Sequence, residues 1–578
     1  MNCTAVRHVT SREFIYPTDR RSLIVKLECL ATPLSVVSVI VWHRQSDEPP
    51  IRVQLQRFSA LATDPYYFAT LSFSSTARYL LYYFEIVSPE ETSYYSPIGL
   101  TETLPKRFFS YQSTNELDVI SVPKWSMGAV GYHIFVDRFY NGDKSNDPVG
   151  VQDWNAKPSR LNFFGGDLRG IIEKIDYLVD LGISIIFLTP LFLSVSNHKY
   201  DTVDYFQIDP KFGTTEDVIE LVEICHSHSI NVILDGVFNH IGYFSIPFQD
   251  AILQGKASKY WDWFYIQGEK IDTNTVNYEC VGDFKWMPKL RYANQKLRKF
   301  IKSVGEYWVK KAHIDGWRLD VADEVDYTFW QEFRAHLKQI NPECLLVGET
   351  WSDGRDLIRG DEMDSIMNYQ FRENVLDYFV LDSLKKEAFQ LRIESVLYSY
   401  PFPVHTLLYN LLGSHDTPRI KTVCGNNFAR LKLAIAFQMT FPGMPVVYYG
   451  DEIGLEGGTD PDCRTTMKWD AIDLDIYGFT KKLIALRNAH PALRFGDFRH
   501  HEVDQSVYAF SRTWEETTLL MLFNPTGESI QVSIDPKQLA VSNRVSRGKS
   551  MKVTLNAFDM LVLEISQTDE QESVQIIS

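Results

Sequence analysis

Four short apolar runs open the chain: "SLIVKLECL", "VVSVIVWH", "YYFATLSFS" and "RYLLYYFEIV". Polar turns separate them and no helical period intervenes, which predicts an N-terminal β-sandwich over residues 1–123. From about residue 130 the pattern changes, and short apolar strands alternate with stretches of helical period. Eight strand candidates stand out: "YHIFVDRF", "ISIIFLTPL", "NVILDGVF", "GWRLDV", "CLLVGET", "SIMNYQF", "TLLYNLLGSHD" and "PVVYYGDEIG". Between them, "DLRGIIEKIDYLVDLG" carries an apolar stripe and stops at Gly182, a C-cap residue. "TTEDVIELVEICHSH" opens with a capping box and sets Val218, Leu221, Val222 and Cys225 along one helical face. Eight strand–helix units in succession predict an α/β fold, a closed (β/α)8 TIM barrel over 124–496, rather than an open sheet.

One connection is too long for a plain loop. Residues 241–292 follow the third strand, and a connection of that length at a strand's C-terminal end reads as a small inserted domain over a site. After residue 497 the chain turns β-rich again, through "TTLLMLFNP", "IQVSI", "MKVTL" and "DMLVLEI". This predicts a C-terminal β-sandwich over 497–578, with the tail "QTDEQESVQIIS" frayed.

The 578 residues are too many for one core, in line with that division. A net charge of −16 argues against a phosphate backbone as partner, so no nucleic acid is expected. Seven cysteines without a CxxC pair fit reduced thiols and a cytoplasmic location. The opening "MNCTAVRHVTSREF" lacks the apolar core of a signal peptide, and no run reaches the length of a membrane span.

Barrel sites lie where strands end at the C-terminal face, so charge at strand ends is informative. The third strand ends in Asp235, Asn239 and His240, the fourth carries Arg318 and Asp320, the fifth ends in Glu349 and the seventh in His415-Asp416. Side chains alternate along a strand, so in "DGWRLDVADE" Gly316, Arg318 and Asp320 share one face. In a barrel that face is the lumen, while Trp317, Leu319 and Val321 meet the helices. Any one of these acids alone reads as a structural ion pair or a solvated rim residue. Asp320, Glu349 and Asp416 converging on one rim suit acetal cleavage, in which one carboxylate attacks and a protonated one serves the leaving oxygen. Arg318 is expected to lower the pKa of Asp320 and keep it ionised, and the other anions to raise that of Glu349.

The stretches "DGVFNH", "GWRLDVADE", "VGETW" and "LLGSHDTPR" resemble, in order, the conserved regions of the alpha-amylase superfamily of glycoside hydrolases. The resemblance implies Asp320 as nucleophile, Glu349 as acid/base and Asp416 as the residue that fixes the reacting sugar. It implies that Arg318, His240 and His415 hold that sugar's hydroxyls, and that Tyr200 stacks on its ring. "MPKL" (287–290) and "GGTDPDCRTTMKWD" (457–470) are similar to the cyclomaltodextrinase, neopullulanase and maltogenic amylase group, with Asp460 and Arg464 binding sugar. That group implies a homodimer through the N-terminal domain and action on cyclodextrins, maltooligosaccharides and pullulan, with some transglycosylation. Val136, Arg291 and Asp323 depart from the group's usual residues. Asp323 lies near the acceptor side and leaves the balance of hydrolysis and transglycosylation open.

"YNGDKSNDP" sets Asn141, Asp143, Asn146 and Asp147 close together, which suits either Ca²⁺ or an Asx-rich turn. The resemblance adds Gly165 and Asp167 and implies a structural calcium ion. Two other readings stay open at this level. One is an α-glucosidase or glucan transferase of the same superfamily. The other is a non-catalytic barrel scaffold, against which the three acids count.

Overall fold

The computed structural model describes residues 6–30, 35–44, 49–58, 65–425, 427–534, 551–567 and 572–576. The apolar runs of the N-terminal region become two facing antiparallel sheets. Ser22–Cys29 pairs with Tyr66–Ser72 in one, and Val36–His43 pairs with Arg78–Val87 in the other. Their alternating inward residues, Leu23, Val25, Leu27, Val39, Val41, Leu80, Tyr82 and Phe84, form a separate core. Lys26 points the other way, toward the barrel. It is fully buried, and its Nζ donates to the carbonyls of Tyr398 (2.6 Å) and Tyr400 (2.9 Å) at the end of helix Lys386–Ser399. A cation at a helix C-terminus meets the exposed carbonyls there, and this contact docks the sandwich on the barrel.

Eight parallel strands form the central sheet: β1 (Gly131–Ile134), β2 (Ile185–Leu188), β3 (Asn231–Gly236), β4 (Gly316–Leu319), β5 (Leu345–Gly348), β6 (Ser365–Ile366), β7 (Tyr409–Leu411) and β8 (Met444–Tyr448). Their order runs β6-β5-β4-β3-β2-β1-β8-β7. Each expected strand is present, and ladders of two to four residue pairs join the neighbours. The ring closes between β6 and β7 through a single bridge, Met367 to Tyr409. Side chains reinforce this seam: Asn368 Nδ2 donates to Asn410 Oδ1 at 2.9 Å.

Period-2 alternation sorts β4 as expected. Trp317 and Leu319 join the large core shared with the surrounding helices. Gly316 and Arg318 face the lumen, where a Cβ on Gly316 would sit 2.2 Å from the Leu345 carbonyl oxygen. The lower lumen is filled by Ile185, Phe187, Ile233, Leu345, Val347, Met444 and Val446. The helix Thr215–Ser227 has the expected capping box between Thr214 and Asp217 and buries Val218, Leu221, Val222 and Cys225. Helix Ile175–Leu181 ends at Gly182 with φ +88°. That backbone conformation favours glycine.

The segment after β3 folds over the rim. It holds helix Ile246–Gln254 and short bridges His240–Lys289, Phe264–Leu290 and Cys280–Pro288, around Phe248, Phe264 and Tyr278. Beyond the barrel, Arg499–His501, Tyr508–Trp514, Thr517–Asn524, Asp559–Gln567 and Glu572–Ile576 form one sheet, and Ile530–Ile534 with Met551–Leu555 a second. The expected fraying of the tail is corrected in part. Glu572–Ile576 pairs antiparallel with Leu563–Gln567. Residues 568–571 and 577–578 of that tail lie outside the described residues.

Candidate active site

Three strand ends deliver four charged groups to one rim. β3 supplies Asp235, β4 Arg318, the residue after β4 Asp320, and the residue after β5 Glu349. Arg318 Nη1 lies 2.9 Å from both oxygens of Asp235 and 2.9 Å from Asp320 Oδ1. Its Nη2 lies 2.7 Å from Glu349 Oε2. One guanidinium therefore holds three carboxyls in fixed relative positions. Glu349 Oε2 also accepts the backbone N–H of Val321 at 3.0 Å. Tyr200 donates its hydroxyl to Asp235 Oδ2 at 2.9 Å and stacks on His415, with ring centroids 5.3 Å apart.

Asp416, after β7, approaches from the far side of the ring. Its Oδ2 lies 3.0 Å from His415 Nε2 and its Oδ1 3.1 Å from Arg464 Nη2. Arg464 Nη1 in turn reaches Asp460 Oδ1 at 3.1 Å. His240 Nε2 is fixed 3.0 Å from the Tyr200 carbonyl oxygen. A cleft of about 450 Å³ opens above these groups. Asp320, Glu349, Asp416, His240, His415, Tyr200, Asp460 and Arg464 all line it. Arg318, expected at a sugar's hydroxyls, lies beneath the acids instead, 2 % exposed and turned to carboxylates.

Electrostatics correct one expectation. Burial is the largest influence on Asp320 and pushes its carboxyl up to about 7, aided by Asp235 and opposed by Arg318. Arg318 alone was expected to win. It fails because it is shared among three acids in a dry site. Burial likewise pushes Glu349 up to about 7, with Asp320 and Asp416 adding and Arg318 opposing. Asp416 goes the other way. Burial would raise it, but His415, Arg464 and Arg318 together hold it well below the usual carboxylate range. Three carboxyls on one guanidinium carry an excess of potential negative charge. Near neutral pH the set holds a proton, so one acid and one base coexist a few ångströms apart.

A second correction concerns Val321. The strand ends at Leu319, and Val321 takes a left-handed conformation, φ +45°. Alternation stops there, so Val321 lines the cleft instead of meeting the helices. The sequence also gave no role to Asp235, whose carboxylate orients both Arg318 and Tyr200. Nor did it single out Arg160, Val281, Phe284, Met287 and Trp351 as cleft residues. Loop residues carry no periodic signal. Of these, only Trp351 and Met287 lay in quoted motifs. Asp323 accepts a hydrogen bond from Thr350 at 2.8 Å beside the acid-bearing loop.

The Asn-rich turn gathers the expected residues around Gly165. A Cβ there would lie 2.2 Å from Asp147 Oδ1 and 2.4 Å from Asn141 Nδ2. The side-chain oxygens of Asn141 and Asn146 are buried without a hydrogen-bond partner, and Asp147 faces the same space. Oxygen donors in that state suit a hard cation. Asp167 is engaged otherwise: its two oxygens accept from Gly142, Asp143, Gly170 and Asn146. Asp143 caps the next turn by accepting from Ser145. Among the described residues no group of three or more His, Cys, Asp or Glu side chains could hold a metal ion.

Residues 133–490 match the family model described as alpha amylase, catalytic domain, and residues 1–115 match the alpha amylase N-terminal Ig-like domain. A cyclomaltodextrinase of Thermoanaerobacter pseudethanolicus is 45 % identical over 90 % of this chain and 92 % of its own length. Neopullulanase 2 of Thermoactinomyces vulgaris is 38 % identical over 91 % of each. A solved cyclomaltodextrinase structure superimposes with a TM-score of 0.90 at 33 % identity, covering 97 % of this chain and 100 % of that one. The chain belongs to the alpha-amylase family of glycoside hydrolases, in the group of cyclomaltodextrinases, maltogenic amylases and neopullulanases.

Proposed function

We propose that this enzyme hydrolyses α-1,4 bonds of cyclodextrins, maltooligosaccharides and pullulan with retention of configuration, and transfers part of the product to sugar acceptors. The observation that carries the reading is the attachment of Asp320 and Glu349 to the two Nη atoms of one buried arginine. A retaining pair works at roughly 5 Å separation, and two acids on one guanidinium fit that requirement. Asp320 attacks C1 while Glu349 gives its proton to the departing glycosidic oxygen, leaving a β-linked glycosyl ester on Asp320. Glu349, now a base, takes a proton from water or a sugar hydroxyl. That oxygen bonds to C1 and Asp320 leaves. Asp416, kept ionised by His415 and Arg464, stabilises the positive charge that develops on the ring in the transition state of each step, and Tyr200 offers it an aromatic face. The test is the anomer released first from β-cyclodextrin, followed by NMR. The α-anomer supports retention, and a β-anomer overturns it.

Both acids sit near pH 7, which sets a pH profile. The rate constant kcat/KM should be bell-shaped, falling about tenfold per pH unit on the alkaline side once the shared proton is lost. A flat profile between pH 7 and 9 would refute the shared-proton assignment.

The turn around Gly165 supports a structural calcium ion held by Asn141, Asn146 and Asp147, with Asp143, Gly165 and Asp167 shaping the pocket. Excess Ca²⁺ should raise the melting temperature of chelator-treated protein, an effect of about 2.7 kcal/mol at a hundred times Kd. The gain should vanish in Asp147→Ala. A melting temperature indifferent to Ca²⁺ would rule the site out. The reading extends to a homodimer formed through the N-terminal sandwich, where Ile51, Tyr79, Ile98 and Leu104 are exposed. Six free cysteines among the described residues support a cytoplasmic location. No helix among the described residues is long and apolar enough to cross a membrane.

A further inference from the structure

We infer that Arg160 is a positioning residue that closes one end of the cleft and limits how many sugars fit on the glycone side. The inference rests on the hydrolytic reading above. In the barrel, β8 neighbours β1, so the loops that follow them are adjacent and lie across the ring from those after β4 and β5. The first pair of loops brings Arg160, Asp460 and Arg464 to the cleft. The opposite loops bring Val321, Glu349 and Trp351. Glu349 protonates the leaving oxygen, so the leaving sugar lies toward the β4 and β5 loops. The sugar bonded to Asp320 therefore extends its remaining units toward the β8 and β1 loops.

There a continuous ion-pair chain bars the way. Arg160 Nε lies 3.2 Å from Asp460 Oδ2, Asp460 Oδ1 3.1 Å from Arg464 Nη1, and Arg464 Nη2 3.1 Å from Asp416 Oδ1. The base of this wall is firmly tied. Buried Arg138 donates to the carbonyls of both Asn162 (3.0 Å) and Arg464 (2.7 Å), clamping the two loops together. Trp154 Nε1 donates to the Met467 carbonyl oxygen at 2.8 Å. Arg160 stands two residues from Asn162, so its guanidinium is presented to Asp460 by a fixed backbone. The tip differs from the base: the Arg160 side chain is 64 % exposed. An exposed pair is weak and screened by salt, so it forms a latch that a longer chain can displace rather than a fixed wall.

The test uses the full chain and maltohexaose labelled at its reducing end, with products resolved by length. In wild type, bonds that leave a short glycone on Asp320 should predominate. Arg160→Ala should raise the share of longer unlabelled products at least threefold, with KM changed more than kcat. Arg160→Lys should restore most of the wild-type pattern. High salt should move the wild-type pattern toward that of Arg160→Ala and leave the variant's own pattern in place. An unshifted pattern in Arg160→Ala overturns the latch, as does an equal fall in kcat at every bond. Absence of wild-type turnover would instead overturn the hydrolytic reading itself, so the two failures are distinguishable.

Discussion

Asp320→Asn should lower kcat on β-cyclodextrin by on the order of 10⁵-fold, because no other group can form the covalent ester. The substitution keeps volume and a hydrogen-bond acceptor for Arg318 Nη1, which now lies 2.9 Å from Asp320 Oδ1. Binding should survive, so the loss belongs to kcat and KM should stay close to wild type. Fold stability should hold or rise, since one buried anion disappears from a set already rich in negative charge. Reducing-end assays and a thermal melt on the same preparation separate these outcomes. A variant with a tenth of wild-type activity would show that Asp320 is not the nucleophile.

Arg318→Leu should do the opposite to stability. It strands Asp235, Asp320 and Glu349 in a buried site, and breaking a buried pair from one side costs about 3–5 kcal/mol. The pH dependence has a definite sign. Asp320 and Glu349 already lie near 7 when folded, against about 4 in an unfolded chain. The folded state therefore binds more protons between pH 4 and 7, and stability from these groups falls as pH rises through that window. Removing Arg318 deletes the influence that opposes the rise, so the window extends above 7. Urea melts should show a larger loss at pH 8 than at pH 5. An equal or larger loss at pH 5 would contradict this electrostatic account.

All eight strands were legible because short apolar runs alternate with stretches of helical period. "GWRLDV" alone gives a helix-facing Trp317, a lumen-facing Arg318 and a rim Asp320. Alternation then misled at Val321, since period two holds only while the backbone stays extended. The protonation of Asp320 was read in the wrong direction for a different reason. Sequence displays Arg318 two residues away but not the burial that outweighs it. The Arg160 latch and the apolar side built by Val281 and Phe284 come from irregular loops. Their spacing repeats nothing, so only the folded chain brings them to the cleft.

The join between β6 and β7 has a mechanical consequence. Six strands, β1 to β6, form one arc, and β7 and β8 form a flap hinged on it through the β1–β8 ladder. Asp416 rides on that flap, and Asp320 and Glu349 ride on the arc. A small outward swing of the flap would stretch the Met367–Tyr409 bridge and the side-chain bonds beside it, Asn368 to Asn410 and Ser365 to the Leu407 carbonyl, and leave every ladder intact. The distance across the cleft between Asp416 and the other two acids is thus the dimension that such a swing would change without breaking a ladder. Amide hydrogen exchange at Met367–Asn368 should report such breathing before it reports unfolding.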